Sequence, residues 1–264
     1  MKKQRKIFWL LIIVTVCLIV FQVQKTKNIT KDYEVAKQQE EQQLQKNVSA
    51  GQNAMKKTQQ HLNTIKDKVK KVIDDKMISI SYYDYQAQAG FNVNGDQMYQ
   101  SQTLLNLPLS LLLVQTQHGD KTLIDNLLTN EKEATKKGIQ QVGSLKQVIQ
   151  QLSSNYDIGL TVSKKNKVYL STNQLLQCLN IAEINKDNYK YQNVIRQLMV
   201  YKQNDLIAEQ NSAQSLIYQY DADNLYALAC YDEQKHKAIA ILMDSSIQKD
   251  KRNDLLKQIA QSLN

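Results

Sequence analysis

Two stretches that alternate β-branched, aromatic and small residues stand far apart in this chain, and the residues between them are patterned for helices. The first is "MISISYYDY" (77–85), followed by the turn "QAQAG" and by "FNVNGD" (91–96), which alternates into an Asn-Gly turn and so predicts a β-hairpin. The second pairs "LYALACY" (225–231) with "KAIAILM" (237–243) across the loop "DEQKH". Between them, Leu104 to Gln117, Leu123 to Leu128, 144–152 and 171–181 show helical spacing or helix starts, with Ser144 and Ser171 as caps. "NVIRQLMVYK" (193–202) is the last stretch before the strand pattern returns. Outside the hairpins, Leu62, Ile65, Val69, Val72 and Ile73 mark one face of a helix ending near Asp75, and "IQKDKRNDLLKQIAQSL" (247–263) closes the chain as an amphipathic helix. Strands this distant in sequence share one sheet only if the two ends of the domain meet. The expected fold is an α+β sandwich: an antiparallel sheet with the first and last helices on one face and the helical block on the other.

The 264 residues, 42% hydrophobic and 22% charged, suffice for one such domain plus appendages. The first six residues carry four positive charges, and "IFWLLIIVTVCLIVFQV" (7–23) follows with no charged side chain. That is long for a signal-peptide core, and no small-residue cleavage site follows, so the expectation is an uncleaved signal anchor with a cytoplasmic N-terminus and an extracytoplasmic remainder. Acylation at Cys17 is the weaker reading, because Val16 precedes it and the apolar run continues past it. The expected organisation is a tail (1–6), an anchor (7–23), a polar, Gln- and Lys-rich helical or disordered stalk (24–59), and a domain (60–264). The net charge of +9 leaves about +5 beyond the tail, which suits an anionic surface. Nucleic acid is not an expected partner of an exported chain. Only Cys178 and Cys230 remain outside the anchor; both lie in apolar patterns that indicate packing, with a single bridge as the alternative. His61, His118 and His236 lack metal-ligand spacing, and the glycine-containing runs resemble no phosphate loop, so neither metal nor cofactor is expected.

The chemistry centres on "MYQSQTLLNLPLSLLL" (98–113), which follows the Asn-Gly-Asp turn and holds the chain's one proline. The approach from strand to turn to helix start resembles that of class A β-lactamases and related penicillin-binding proteins, whose signature set is Ser-x-x-Lys, Ser-Asp-Asn and Lys-Thr-Gly. With Leu107-Pro108 aligned on the family's Leu-Pro, Thr103 stands at the serine position and Asn106 at the lysine position. "LSSNYDIGL" (152–160) offers Ser153 and Asn155 for the outer members of the second motif, with Ser154 in place of the aspartate. The strand that should carry the third motif, within "SLIYQYDADNLYALACY" (215–231), has no Lys-Thr-Gly. The resemblance covers about residues 60 to 264 and implies the β-lactamase/transpeptidase-like sandwich. A hydroxyl needs a neighbouring base to attack at neutral pH, and an asparagine one turn away cannot accept its proton. Without these motifs the residues also have structural readings. Asn106 before Leu107-Pro108 reads as an N-cap with proline in the first turn, and Ser153, Ser154 and Asn155 read as turn formers.

Taken with the basic tail, the apolar run 7–23 and the departures from the motifs, the resemblance implies a membrane-anchored, extracytoplasmic, catalytically inactive module that binds or scaffolds at the envelope of a Gram-positive bacterium. Peptidoglycan or a cell-wall synthesis protein is its implied partner. A divergent serine-type hydrolase using Thr103 is the alternative, and a tether acting through its stalk is a third. A ligand cleft lined by Tyr99, Tyr156 and Tyr220 is the weaker expectation for binding.

Overall fold

The computed structural model describes residues 37, 40–73, 77–116, 120–131, 133–185, 215–222, 225–232 and 236–263. The anchor segment 7–23, the stretch 193–202 and His118 lie outside the described residues. The chain divides into two compact units, Met1–Lys57 and Thr58–Asn264. In the first, residues 40–57 are helical, with Leu44, Val48 and Met55 exposed. Among the described residues no helix is long and apolar enough to cross a membrane.

The second unit opens with helix α1 (58–72), whose Leu62, Ile65 and Val69 are buried at three- and four-residue steps, with Ile73 just beyond it. Strands β1 (Ile78–Asp84) and β2 (Ala89–Val93) form the first hairpin, with Ile80 opposite Val93. β3 (Tyr99–Gln100) leads into a 3-10 turn (Thr103–Leu105) and α2 (Asn106–Thr116). There follow α3 (Lys121–Leu128), α4 (Ala134–Val142), α5 (Leu145–Tyr156), β4 (Thr161–Val162), β5 (Val168–Leu170) and α6 (Thr172–Ile184). β6 (Ser215–Ala222), β7 (Leu225–Asp232), β8 (Lys237–Asp244) and a closing helix, α7 (Lys249–Leu263), complete the chain. The main sheet is antiparallel in the order β2-β1-β8-β7-β6, so the first strand of the unit lies beside its last, Ile80 facing Ile241. This is the meeting of ends that the sequence requires.

The two-residue period of the strands sorts their side chains between two cores. Ile78, Ile80, Tyr82, Tyr226, Leu228, Ile239, Ile241 and Met243 pack with Leu62, Val69, Leu256 and Ile259 of α1 and α7. The alternate residues Ala227, Ala229, Ala238, Ala240 and Leu242 belong to the core of the helical block, with the leucines of α2. Small residues on that face, with Ser79 and Ser81 beside them, let α6 lie close to β1 and β8. α2 runs through the middle of the block, buried from Asn106 to Val114, which explains why "NLPLSLLLV" has no polar face.

Cys178 sits in the helical core and Cys230 in the core beneath α1 and α7. The sheet lies between them, so the thiols cannot bridge, and both are buried outside any disulfide. Burial pushes the Cys178 thiol well above its ordinary range.

Two expectations need correction, and one helix was not expected. Helix α4 is not apparent from "ATKKGIQQV", whose apolar content is low. It forms because Gly138 allows close packing: a Cβ there would come 2.7 Å from Leu109 Cδ2 and 3.3 Å from Leu127 Cδ1. Ser153, Ser154 and Asn155 belong to the last turn of α5, which ends at Asp157 in the left-handed region (φ 57°), so they do not form a separate turn. Asn106 is not an N-cap. Helical backbone begins before it, its own φ and ψ are −60° and −42°, and its N–H already donates to the Thr103 carbonyl.

Candidate functional site

The junction that begins with Met98 is held from both sides before any side chain is considered. Asn94 (φ 54°) turns the chain out of β2, and its Nδ2 donates to the Ile78 carbonyl at 2.9 Å. Asn173 Nδ2 donates to Asp96 Oδ1 at 2.7 Å, and Thr172 Oγ1 donates to the Gly95 carbonyl. Ser81, buried on β1, donates to Thr172 Oγ1 at 2.8 Å and to Asn173 Oδ1. These bonds lie at the start of α6, where Ser171 and Gln174 form a capping box. Tyr99 then pairs with Leu170 in the small sheet β3-β5-β4, its buried hydroxyl 3.1 Å from Ser79 Oγ, and the Ser101 N–H donates to the Val168 carbonyl. The backbone is thus fixed up to Ser101, two residues before Thr103.

Thr103 is half-buried in the first residue of the 3-10 turn. One helical turn on, Asn106 is only 1% exposed. Its carboxamide is bonded at both atoms: Nδ2 donates to Asn130 Oδ1 at 3.1 Å, and Oδ1 accepts from Thr135 Oγ1 at 2.6 Å. Its carbonyl accepts from Ser110 Oγ at 2.7 Å. The position one turn after the hydroxyl therefore holds a neutral amide that ties α2 to the loop after α3 and to the first turn of α4. A carboxamide has no basic lone pair at neutral pH, so this arrangement braces a loop and cannot take a proton from Thr103.

The other sequence-derived residues lie elsewhere around α2. Ser153, Ser154 and Asn155 are exposed, and Asn155 Nδ2 donates to Gln115 Oε1 at 3.3 Å. Gln115 is about 18 Å along the helix from Thr103 at ~1.5 Å per residue. Tyr156, half-buried, donates its hydroxyl to the Leu111 carbonyl at 3.3 Å, while Tyr99 bonds across to β1. These two tyrosines have separate partners. Tyr220 is placed on β6, at the edge of the main sheet, and its side chain is outside the described part. β6 pairs with β7 in the place where the third motif was sought.

The residues that meet Asn106 are Asn130 and Thr135, and neither stands out from sequence. One available signal was Asn130 itself: an asparagine with φ 57° just past α3 is a helix-stop residue, and it places a loop there. An open polar cleft of about 350 Å³ lies between α3 and α4, lined by Asp120, Thr122, Asn126, Lys137, Gln140 and Gln141. Among the described residues, no group of three histidine, cysteine or acidic side chains could hold a metal ion. Burial, with Asp84 adding to it, holds the Tyr82 hydroxyl far above its usual range. Burial followed by the nearby Glu183 and Tyr83 does the same to Tyr85, whose hydroxyl donates to Asn180.

The element order, the strand order with its adjacent first and last strands, and the helix following the small-sheet junction define the β-lactamase/transpeptidase-like fold. The chain superimposes on a β-lactamase from Sphaerobacter thermophilus at a TM-score of 0.62 with 8% identity, covering 76% of this chain and 95% of that one. A β-lactamase from Chitinophaga pinensis gives 0.60 with 10% identity over 75% of this chain and 97% of the other. The protein PBP-A gives 0.60 with 11% identity over 76% and 96%. No protein-family model and no curated protein sequence matches the chain.

Proposed function

We propose that this is a membrane-anchored, extracytoplasmic member of the β-lactamase-like fold that has lost acyl transfer and serves as a binding or scaffolding module at the bacterial envelope. The observation that carries the reading is the Asn106 carboxamide, buried and bonded to Asn130 and Thr135 at the position where a base for Thr103 would have to stand. The missing Lys-Thr-Gly in "SLIYQYDA" removes the cationic and hydroxyl contacts that such a site would use to hold a substrate carboxylate. The apolar run 7–23 behind a basic tail supports anchoring with the domain outside. The partner, by analogy with the fold, is peptidoglycan or a protein of its synthesis.

The test is incubation of the full-length chain with a fluorescent penicillin, beside Thr103→Ala and the double variant Thr103→Ser/Asn106→Lys. The expected result is no Thr103-dependent label on the folded wild type, with retention on isolated cell-wall sacculi equal for wild type and Thr103→Ala. A covalent label on the wild type that Thr103→Ala abolishes would overturn the reading and establish Thr103 as a working nucleophile.

A further inference from the structure

The hairpin between β4 and β5 carries Lys164, Lys165 and Lys167 within four positions, and all three are exposed. Its shape is fixed by one residue. Ser163 N–H donates to the Lys167 carbonyl at 2.9 Å, its carbonyl accepts from Asn166 N at 2.9 Å, and its Oγ accepts from Lys165 N and Lys167 N at 3.3 and 3.2 Å. Asn166 takes the left-handed conformation (φ 59°) that closes the turn. Below the tip, Gln100 Oε1 on β3 accepts from both Lys167 Nζ and Tyr169 Oη at 3.3 Å. Among the described residues the ion pair is Lys136–Glu133, at the start of α4, and none of them pairs a carboxylate with the three ammonium groups of the hairpin. Three like charges on a tight turn repel one another, and the fold nevertheless holds them together by four hydrogen bonds to a single serine.

We propose that this hairpin is a docking surface for a flexible polymer bearing phosphate groups. A concentrated positive potential on a preorganised tip attracts a polyanion and releases its condensed counterions. Lysine ammonium groups act as point charges on phosphates of variable orientation, whereas ordered recognition of carboxylates favours the planar fork of arginine. The chain's arginines are Arg5, Arg196 and Arg252, none of them on the hairpin, which favours a phosphate polymer over an acidic polypeptide. Through β5 the base of the hairpin is joined to Ser101, two residues before Thr103. The proposal does not depend on whether Thr103 can be acylated.

The experiment measures fluorescence anisotropy of end-labelled inorganic polyphosphate with the full-length protein between about 50 and 200 mM salt. Each lysine engaged with a single-stranded polyanion contributes about 0.7 to the slope of log affinity against log salt. Lys164→Gln/Lys165→Gln/Lys167→Gln should therefore lower that slope by about 2, so that the wild type loses about 20-fold more affinity across the range. Lys66→Gln/Lys68→Gln/Lys70→Gln, on α1, should keep the wild-type slope. Circular dichroism confirms that each variant is folded. A folded hairpin variant with unchanged slope overturns the proposal. So does an equal loss in the α1 variant, or binding of poly-glutamate as tight as that of polyphosphate. Penicillin labelling is a separate readout, so failure here and failure of the pseudoenzyme reading are told apart.

Discussion

Asn106→Ala should destabilise the second unit by about 2–3 kcal/mol. The substitution deletes two side-chain hydrogen bonds, one to Asn130 and one to Thr135, each contributing about 1 kcal/mol net. At 1% exposure no water replaces the lost partner without cost, and the polar atoms left behind on Asn130 and Thr135 add a fraction of their desolvation penalty. Urea unfolding followed by tyrosine near-UV circular dichroism reads this unit, because the one tryptophan, Trp9, lies in the N-terminal apolar run. With a urea dependence of about 2–3 kcal/mol per molar, the midpoint should fall by about 1 M. Thr135→Val alone removes one of the two bonds, and the Asn106→Ala/Thr135→Val cycle should show a coupling of about 1 kcal/mol. A midpoint shift below about 0.2 M, or a coupling of zero, would refute the claim that the amide braces the α3–α4 loop and the start of α4.

Gly138→Ala should cost up to about 2 kcal/mol in thermal or urea unfolding: crowding of Leu109 and Leu127 at about 1–3 kcal/mol is set against a helix-propensity gain of about 1 kcal/mol, and a net stabilisation would contradict the close packing. Cys178 and Cys230 should react with a disulfide reagent only on unfolding, as mapped by peptide mass, and rapid native modification of Cys178 would contradict its burial in the helical core. Stability should decline as pH rises above about 10, where the unfolded tyrosines ionise while Tyr82 and Tyr85, whose folded pKa values are raised, remain protonated. Tyr85→Phe should flatten that alkaline slope, and an unchanged slope would show that Tyr85 does not contribute to it.

The strands were legible because each carries its two faces in its own residues. Ile78, Ile80 and Tyr82 alternate with Ser79 and Ser81, and burial on opposite sides of a sheet demands that pattern. The Ser171 cap and the closing helix were legible for the same local reason. β3, β4 and the short β5 were not, since strands of two or three residues have too little sequence to alternate. At the candidate site, sequence placed Thr103 and Asn106 on the strand-to-helix junction but misread how Asn106 is used. Its partners lie 24 and 29 residues downstream, and no local pattern carries a contact of that range. At Ser153 and Asn155 the letters suit the second motif, while the bond that Asn155 makes from α5 is to Gln115. α4 escaped because its packing relies on the absence of a side chain at Gly138.

The bonded amide at 106 also gives the junction a direction in sequence space. A lysine placed there first must bring an ammonium into a site that is 1% exposed and break the brace to Asn130 and Thr135, a loss incurred before any hydroxyl can use it. Exchanging Thr103 for serine first removes a methyl from a half-buried position and leaves the brace intact. Of the two single steps toward a Ser-x-x-Lys pair, one is nearly flat and the other descends steeply in stability. A walk of single substitutions thus passes easily through the serine and stalls at the lysine until residues 130 and 135 change with it.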